Sequence, residues 1–183
     1  MGQYYRPIIL KKDYKNRVNP IEASFNSWSY NNGAKLMEHS YIGNSFVRAV
    51  EEALAWQYKG CNFVWCGDYS DELVTKKYDG NLYDTAYSYH NKLDIQVTNV
   101  PPYRKYLINY TKRQYVKLND VQKDKWQIHP LPLLCCNSNG RGGGDYHGTN
   151  MDKVGIWAYN RIGVADEIPN GFKELEVTFE EEY

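Results

Sequence analysis

The stretch from Asn44 to Gly67 constrains the fold more than any other part of the chain. Gly43, Phe46, Val47, Val50, Ala53 and Leu54 recur at spacings of three and four, which predicts a helix over about 44–58 with one apolar stripe. Asn44 has the short polar side chain of an N-cap, Gly60 suits the stop, and Arg48 with Glu52 makes an i,i+4 pair. "CNFVWCG" follows at once, too short for a helix and apolar enough for a buried strand. A helix that leads straight into a buried strand packs on a sheet.

The remaining segments fill in that sheet. "YYRPIILKK" reads as an opening strand, with Pro7 marking an edge position. "ASFNSWSY" is a weak strand or a loop, and "NLYDTAYSYH" a second, shorter helix. Pro101 and Pro102 punctuate the chain before "KYLINYTKRQYVKL", a hairpin around the polar "TKRQ". Pro130 and Pro132 are expected to hold "IHPLPLLCC" extended. "KVGIWAYNRIGV" and "FKELEVTFEE" close as strands, the second with Leu175, Val177 and Phe179 inward and Glu outward. The expected fold is α+β: one globular domain over 1–183, with a mainly antiparallel sheet and one principal helix across a face. A chain of 183 residues is long enough to bury such a core.

No run of about 18 apolar residues is present, and "MGQYYRPIIL" lacks the charged-then-apolar layout of a signal peptide. The expectation is a cytoplasmic protein that does not enter a membrane. Lys plus Arg balance Asp plus Glu at 22 each, so net charge selects no partner. Its distribution is uneven. Residues 103–125 hold seven cations against Asp120 and Asp124, whereas 164–183 hold seven carboxylates against Lys173. The two segments either neutralise each other or face separate partners. Eighteen tyrosines, each a rigid apolar body with a polar tip, suit a contact-rich surface.

"NSNGRGGGDYHG", residues 137–148, holds five of the fourteen glycines. It lacks the Lys-Ser/Thr of a P-loop, and the third glycine of a dinucleotide fingerprint falls on Asp145. Its N–H groups can still form an anion nest beside Arg141, although Asp145 repels a phosphate there. Three readings stay open: a long hairpin loop between the Leu133 region and the Val154 strand, a partner contact through Arg141, Asp145, Tyr146 and His147, or a ligand cradle.

Catalytic signals are thin. His147 shares the loop with Asp145, and Asp68 follows the buried strand, so Asp68, Asp145 and His147 are the acid/base candidates. Cys61, Cys66, Cys135 and Cys136 read as buried hydrophobes; their spacing, even with His129 added, fits no tidy zinc site. No metal and no cofactor are expected. The basic hairpin is the stronger chemical signal. Arg104, Lys105, Lys112, Arg113 and Lys117, interleaved with Tyr103, Tyr106, Tyr110 and Tyr115, offer phosphate partners and stacking faces, as a DNA- or RNA-binding segment does.

"MGQYYRPIIL", "FVWCGDYSDE", "YLINYTKRQYV" and above all "HPLPLL…NGRGGGDYHG…VGIWAYNRIGV" resemble a family of small proteins of gut Firmicutes, their phages and mobile elements. The resemblance implies an anti-defence role in the bacterial host cell, and specifically an anti-CRISPR inhibitor that binds Cas9 or its guide-RNA complex. Such an inhibitor needs no active site, only rigid aromatics and charges matched to a target. The acidic tail, Glu174, Glu176 and Glu180 to Glu182, would then meet a basic channel. A nucleic-acid-binding module, or an enzyme acting on a nucleotide-like ligand at the glycine loop, are the alternatives.

Overall fold

The structure, a computed structural model, describes residues 1–88, 92–95, 104–118 and 127–182. In chain order the strands are β1 (Tyr5–Leu10), β2 (Ile21–Phe25), β3 (Cys61–Gly67), β4 (Leu73–Val74), β5 (Asp79–Gly80), β6 (Lys92–Leu93), β7 (Tyr106–Asn109), β8 (Gln114–Lys117), β9 (Cys136–Asn137), β10 (Arg161–Ala165) and β11 (Lys173–Glu174). The helices are α1 (Ser45–Ala55), α2 (Leu82–Ser88) and α3 (Pro130–Cys135). One sheet runs in the order β11-β8-β7-β10-β3-β1-β2-β6, with β9 also paired to β3, while β4 and β5 form a separate ribbon.

The sheet is mixed. Its longer strands pair antiparallel, but the two-residue strands β6, β9 and β11 join in parallel to β2, β3 and β8. Helices cover both faces, not one. Tyr5, Ile9, Phe63 and Trp65 pack with α1 and α3 residues on one side. Ile8, Leu10, Val64 and Cys66 pack on the other with Leu82 and Ala86 of α2. Side chains alternate across a strand, so a strand covered on both faces reads as unbroken Ile8-Ile9-Leu10. An irregularity between Ile9 and Leu10 skips one residue of β2, which puts Ile21 and Ala23 on opposite faces.

β1 lies between β2 and β3, so Pro7 does not mark an edge. Tyr5 donates its N–H to Ala34 O, and β2 pairing begins only at Ile8. Pro7, two residues from Tyr5 and so on the same side, sits where that ladder has not started, and its missing N–H costs nothing.

The principal helix starts as expected: Asn44 Oδ1 accepts from the N–H of Phe46 at 2.8 Å and of Val47 at 3.2 Å. It stops at Ala55, earlier than expected, because Trp56 leaves helical geometry and Tyr58 N–H closes back on Ala53 O. Glu52 pairs with Arg104. "IHPLPLLCC" is corrected from extended to helical over Pro130–Cys135. His129 caps it, and both prolines fall in the first turn, where an absent N–H is no loss. "ASFNSWSY" divides into the end of β2 and a short 3-10 turn, Ser27–Tyr30.

The "KVGIWAYNRIGV" strand is confined to β10, because Gly155 and Tyr159 adopt positive φ ahead of it. "FKELEVTFEE" forms a strand only at β11, with a single antiparallel bridge from Glu181 to Gly148, although Phe179 is buried and Glu176 and Glu180 point outward as expected. Pro101 and Pro102 lie outside the described residues.

Candidate functional site

The glycine loop is an anion nest, and the chain's own carboxylate fills it. Asp145, 1 % exposed, accepts at Oδ2 from the N–H groups of Gly140 at 2.7 Å, Arg141 at 2.8 Å and Gly142 at 3.0 Å. Its Oδ1 accepts from the Tyr5 hydroxyl at 2.7 Å. With the Gln3 amide nitrogen turned toward the carboxylate, it donates to Oδ2 at 2.9 Å and to Ser138 O at 2.9 Å. Successive N–H groups converge this way because Gly140 takes φ +88°, open to glycine without strain. Gly142 is needed for another reason: a Cβ there would lie 2.6 Å from the Gln3 backbone nitrogen.

The loop therefore clamps residues 2–5 to the rest of the fold. Gln3 N–H donates to Gly143 O, and Gly143 N–H donates to Met1 O. Burial, then the bond to Asp145, hold the Tyr5 phenol well above its ordinary pKa. The loop is not a hairpin connection; it joins α3 and β9 to the turns before β10.

The other loop residues go separate ways. Arg141 makes a bidentate pair with Asp71, both N–O distances 2.8 Å, and donates to Tyr69 O at 2.9 Å. That pair is solvent-exposed, so it positions more than it stabilises. Tyr146 is fully buried; its hydroxyl donates toward Thr149 O at 2.8 Å and Glu180 O at 2.9 Å, and its ring meets Phe179 edge-on. His147 is exposed. Asp68 accepts from Tyr4 N–H at 3.0 Å, and burial raises its pKa.

The acid/base trio is therefore not assembled: Asp145 faces inward, His147 outward, and Asp68 closes the end of the β1–β3 ladder. The ligand-cradle reading meets the same obstacle, since the nest N–H groups already hold Asp145. Of the four loop residues expected to touch a partner, Arg141 and His147 reach the surface, and Asp145 and Tyr146 do not.

The β7–β8 hairpin forms where expected, with Tyr106 opposite Lys117. Its charges are partly engaged. Arg104 pairs with Asp166 at 3.0 Å and Glu52 at 3.4 Å and lies over the Trp56 ring. Lys117 pairs with Glu174 at 3.0 Å, where β11 runs beside β8. Basic segment and acidic tail thus meet directly. Lys105, Lys112 and Arg113 stay exposed, Arg113 stacking over Phe172. Tyr106 stacks edge-on with Tyr115, and Tyr110 with Phe172. Tyr103, Asp120, Lys123, Asp124, Lys125 and His90 lie outside the described residues.

Among the described residues no group of three His, Cys, Asp or Glu side chains is placed to hold a metal ion. Cys61 and Cys66 pack on opposite faces of the sheet. Burial pushes the Cys66 thiol up to about 11 and Cys136 up to about 12, so both are inert at neutral pH. His129 bonds a carboxylate: its Nδ1 accepts from Leu131 N–H at 3.0 Å, so Nε2 carries the proton toward Glu51 Oε1, 2.7 Å away.

Two features escaped the sequence reading. Tyr4 and Trp28 line an open groove of about 550 Å³ together with Gly33, Lys35, Glu38 and His39. Trp28 is 68 % exposed, although the chain has a large core to bury it in. On the α2 face, Arg6 is buried without a carboxylate partner among the described residues. Neither has a motif; only an aromatic count far above the ordinary hinted at the first.

Among the described residues no helix is long and apolar enough to cross a membrane. Comparison of the chain with protein-family models, with curated proteins and with solved structures finds no match.

Proposed function

We propose that this chain is a non-catalytic binding protein of the bacterial cytoplasm that inhibits a defence nuclease, Cas9 or its guide-RNA complex. The observation that carries the binding reading is the Tyr4–Trp28 groove, lined by two exposed aromatics, while the N–H groups of the glycine-loop nest are bonded to Asp145. Aromatic anchors of this kind dominate the energy of protein interfaces. Glu176, Glu180 and Glu182, outward beside the core residue Phe179, add acidic groups suited to a basic nucleic-acid channel. The choice of Cas9 as target rests on the sequence resemblance.

Near-stoichiometric protein should abolish DNA cleavage by a Cas9–guide complex and co-purify with it. Trp28→Ala with Tyr4→Ala should raise the dose for half-inhibition about tenfold or more, at unchanged thermal midpoint. Cleavage unaffected by a large excess removes Cas9 as the target. An unchanged dose for the double variant moves the contact off the groove.

A second reading, a nucleic-acid-binding module, is favoured by the hairpin tip, where Lys112 and Arg113 stand exposed and outside any ion pair given by the described residues. Lys112→Glu with Arg113→Glu should weaken DNA or RNA binding and flatten its logarithmic salt slope by about 2. Parent protein that shows no salt-dependent binding overturns this reading.

A further inference from the structure

Arg6 is a cation buried without a counter-charge among the described residues. It is 5 % exposed, its Nη1 has no hydrogen-bond acceptor among the described residues, and it takes part in no ion pair there. Its guanidinium lies against two rings of α2, 5.0 Å from the centroid of Tyr83 and 5.4 Å from that of Tyr87. Those faces attract the charge but leave Nη1 without an acceptor among the described residues. Arg6 is opposite Cys66 in the ladder, and Asp68, two residues on, turns its carboxylate to the Tyr4 N–H instead.

A second orphan lies beside it. Ser24, 0 % exposed, faces the same side of the sheet from the neighbouring strand, opposite Ile8, and its Oγ likewise has no partner among the described residues. Ser24 is also aligned with Lys92 of β6, whose ammonium sits 5.5 Å from the Tyr87 centroid and donates to Tyr87 O. One tyrosine ring thus lies against two cations, and Tyr87 is 68 % exposed. A buried charge without partner is costly, and a buried hydroxyl without one adds to the cost. Both costs are lifted if an oxyanion completes the site.

We propose that Arg6, Ser24 and Lys92, gathered around Tyr87 at the α2 face, bind a phosphate group. Two cations match a doubly charged phosphomonoester better than a singly charged carboxylate. The planar guanidinium offers paired N–H donors to two oxygens, and the serine hydroxyl donates to the third. Tyr87, at the last turn of α2, carries the ring that both cations share. The site is independent of the Tyr4–Trp28 groove and of the nuclease assignment.

Calorimetric titration of the full chain with inorganic phosphate, against chloride at equal ionic strength, tests it. The parent should bind. Ser24→Ala removes a hydroxyl that bonds nothing in the described structure, so it should fold normally and lose about tenfold in phosphate affinity. Arg6→Met should abolish binding and leave the phosphate-free protein as stable as the parent or more so. No heat of binding in the parent, or equal affinity in Ser24→Ala, overturns the proposal; if Arg6→Met does not fold, Ser24→Ala still decides. Adenosine monophosphate and a 5′-phosphorylated oligonucleotide identify the source. Tighter binding of the oligonucleotide points to a nucleic-acid end, and tighter binding of the mononucleotide to a free nucleotide.

Discussion

Asp145→Ala should lower the unfolding free energy by about 3–5 kcal/mol, a fall of roughly 10 °C in midpoint for a chain of this size. The substitution strands the N–H groups of Gly140, Arg141 and Gly142 and the Tyr5 hydroxyl together, at a position that water reaches poorly. Tyr5→Phe removes one donor of the same set and should cost about 1–3 kcal/mol. Urea unfolding of both variants measures the two effects. A loss below about 1 kcal/mol for Asp145→Ala would mean the loop holds its shape without its carboxylate. The wider point concerns glycine-rich loops. A nest that looks like a phosphate cradle in sequence is closed to phosphate when an aspartate three residues on turns back into it.

The second large effect is expected at His129. This side chain caps α3 through Nδ1 and bonds Glu51 of α1 through Nε2, so one imidazole joins two helices on the same face. His129→Ala removes the cap and leaves a buried carboxylate without its donor, for about 3–5 kcal/mol. Glu51→Gln in that background should recover part of the loss, because a neutral amide is cheaper to bury than a carboxylate. His129→Asn keeps an N-cap acceptor and should retain about 1 kcal/mol more than the alanine variant. A double-mutant cycle over the pair reads the coupling directly; additive losses would show that the two groups do not stabilise each other.

What could be read in advance follows the range of the interactions. The α1 cap, the β3 strand, α2 and the β7–β8 hairpin are set by neighbours within a few positions, and they appear where local pattern places them. The failures come from longer reach or from a rule applied at the wrong position. Pro130 and Pro132 were expected to exclude helix, yet a helix tolerates proline in its first turn, and His129 supplies the start. Pro7 suggested an edge, whereas the decisive fact is where β2 begins to pair. Asp145 was taken as a hindrance to anion binding, and it is the anion. Arg6 and Ser24 gave no signal at all, because their isolation depends on a strand partner and on α2, far apart in the chain.

The clamp on residues 2–5 also has a consequence for how the chain is made. Tyr5 and Asp145 are 140 positions apart, and β1 sits between strands whose neighbours include β10. During synthesis the covering loop and the strand beyond β3 are made well over a hundred residues after β1. Until then a strand rich in apolar residues waits with its end unsecured, the kind of exposed segment that invites wrong pairing. Contacts of this sequence separation also slow folding, because a long loop must close before they form. Folding of this chain should therefore be slow for its size, and refolding followed by Trp fluorescence checks it.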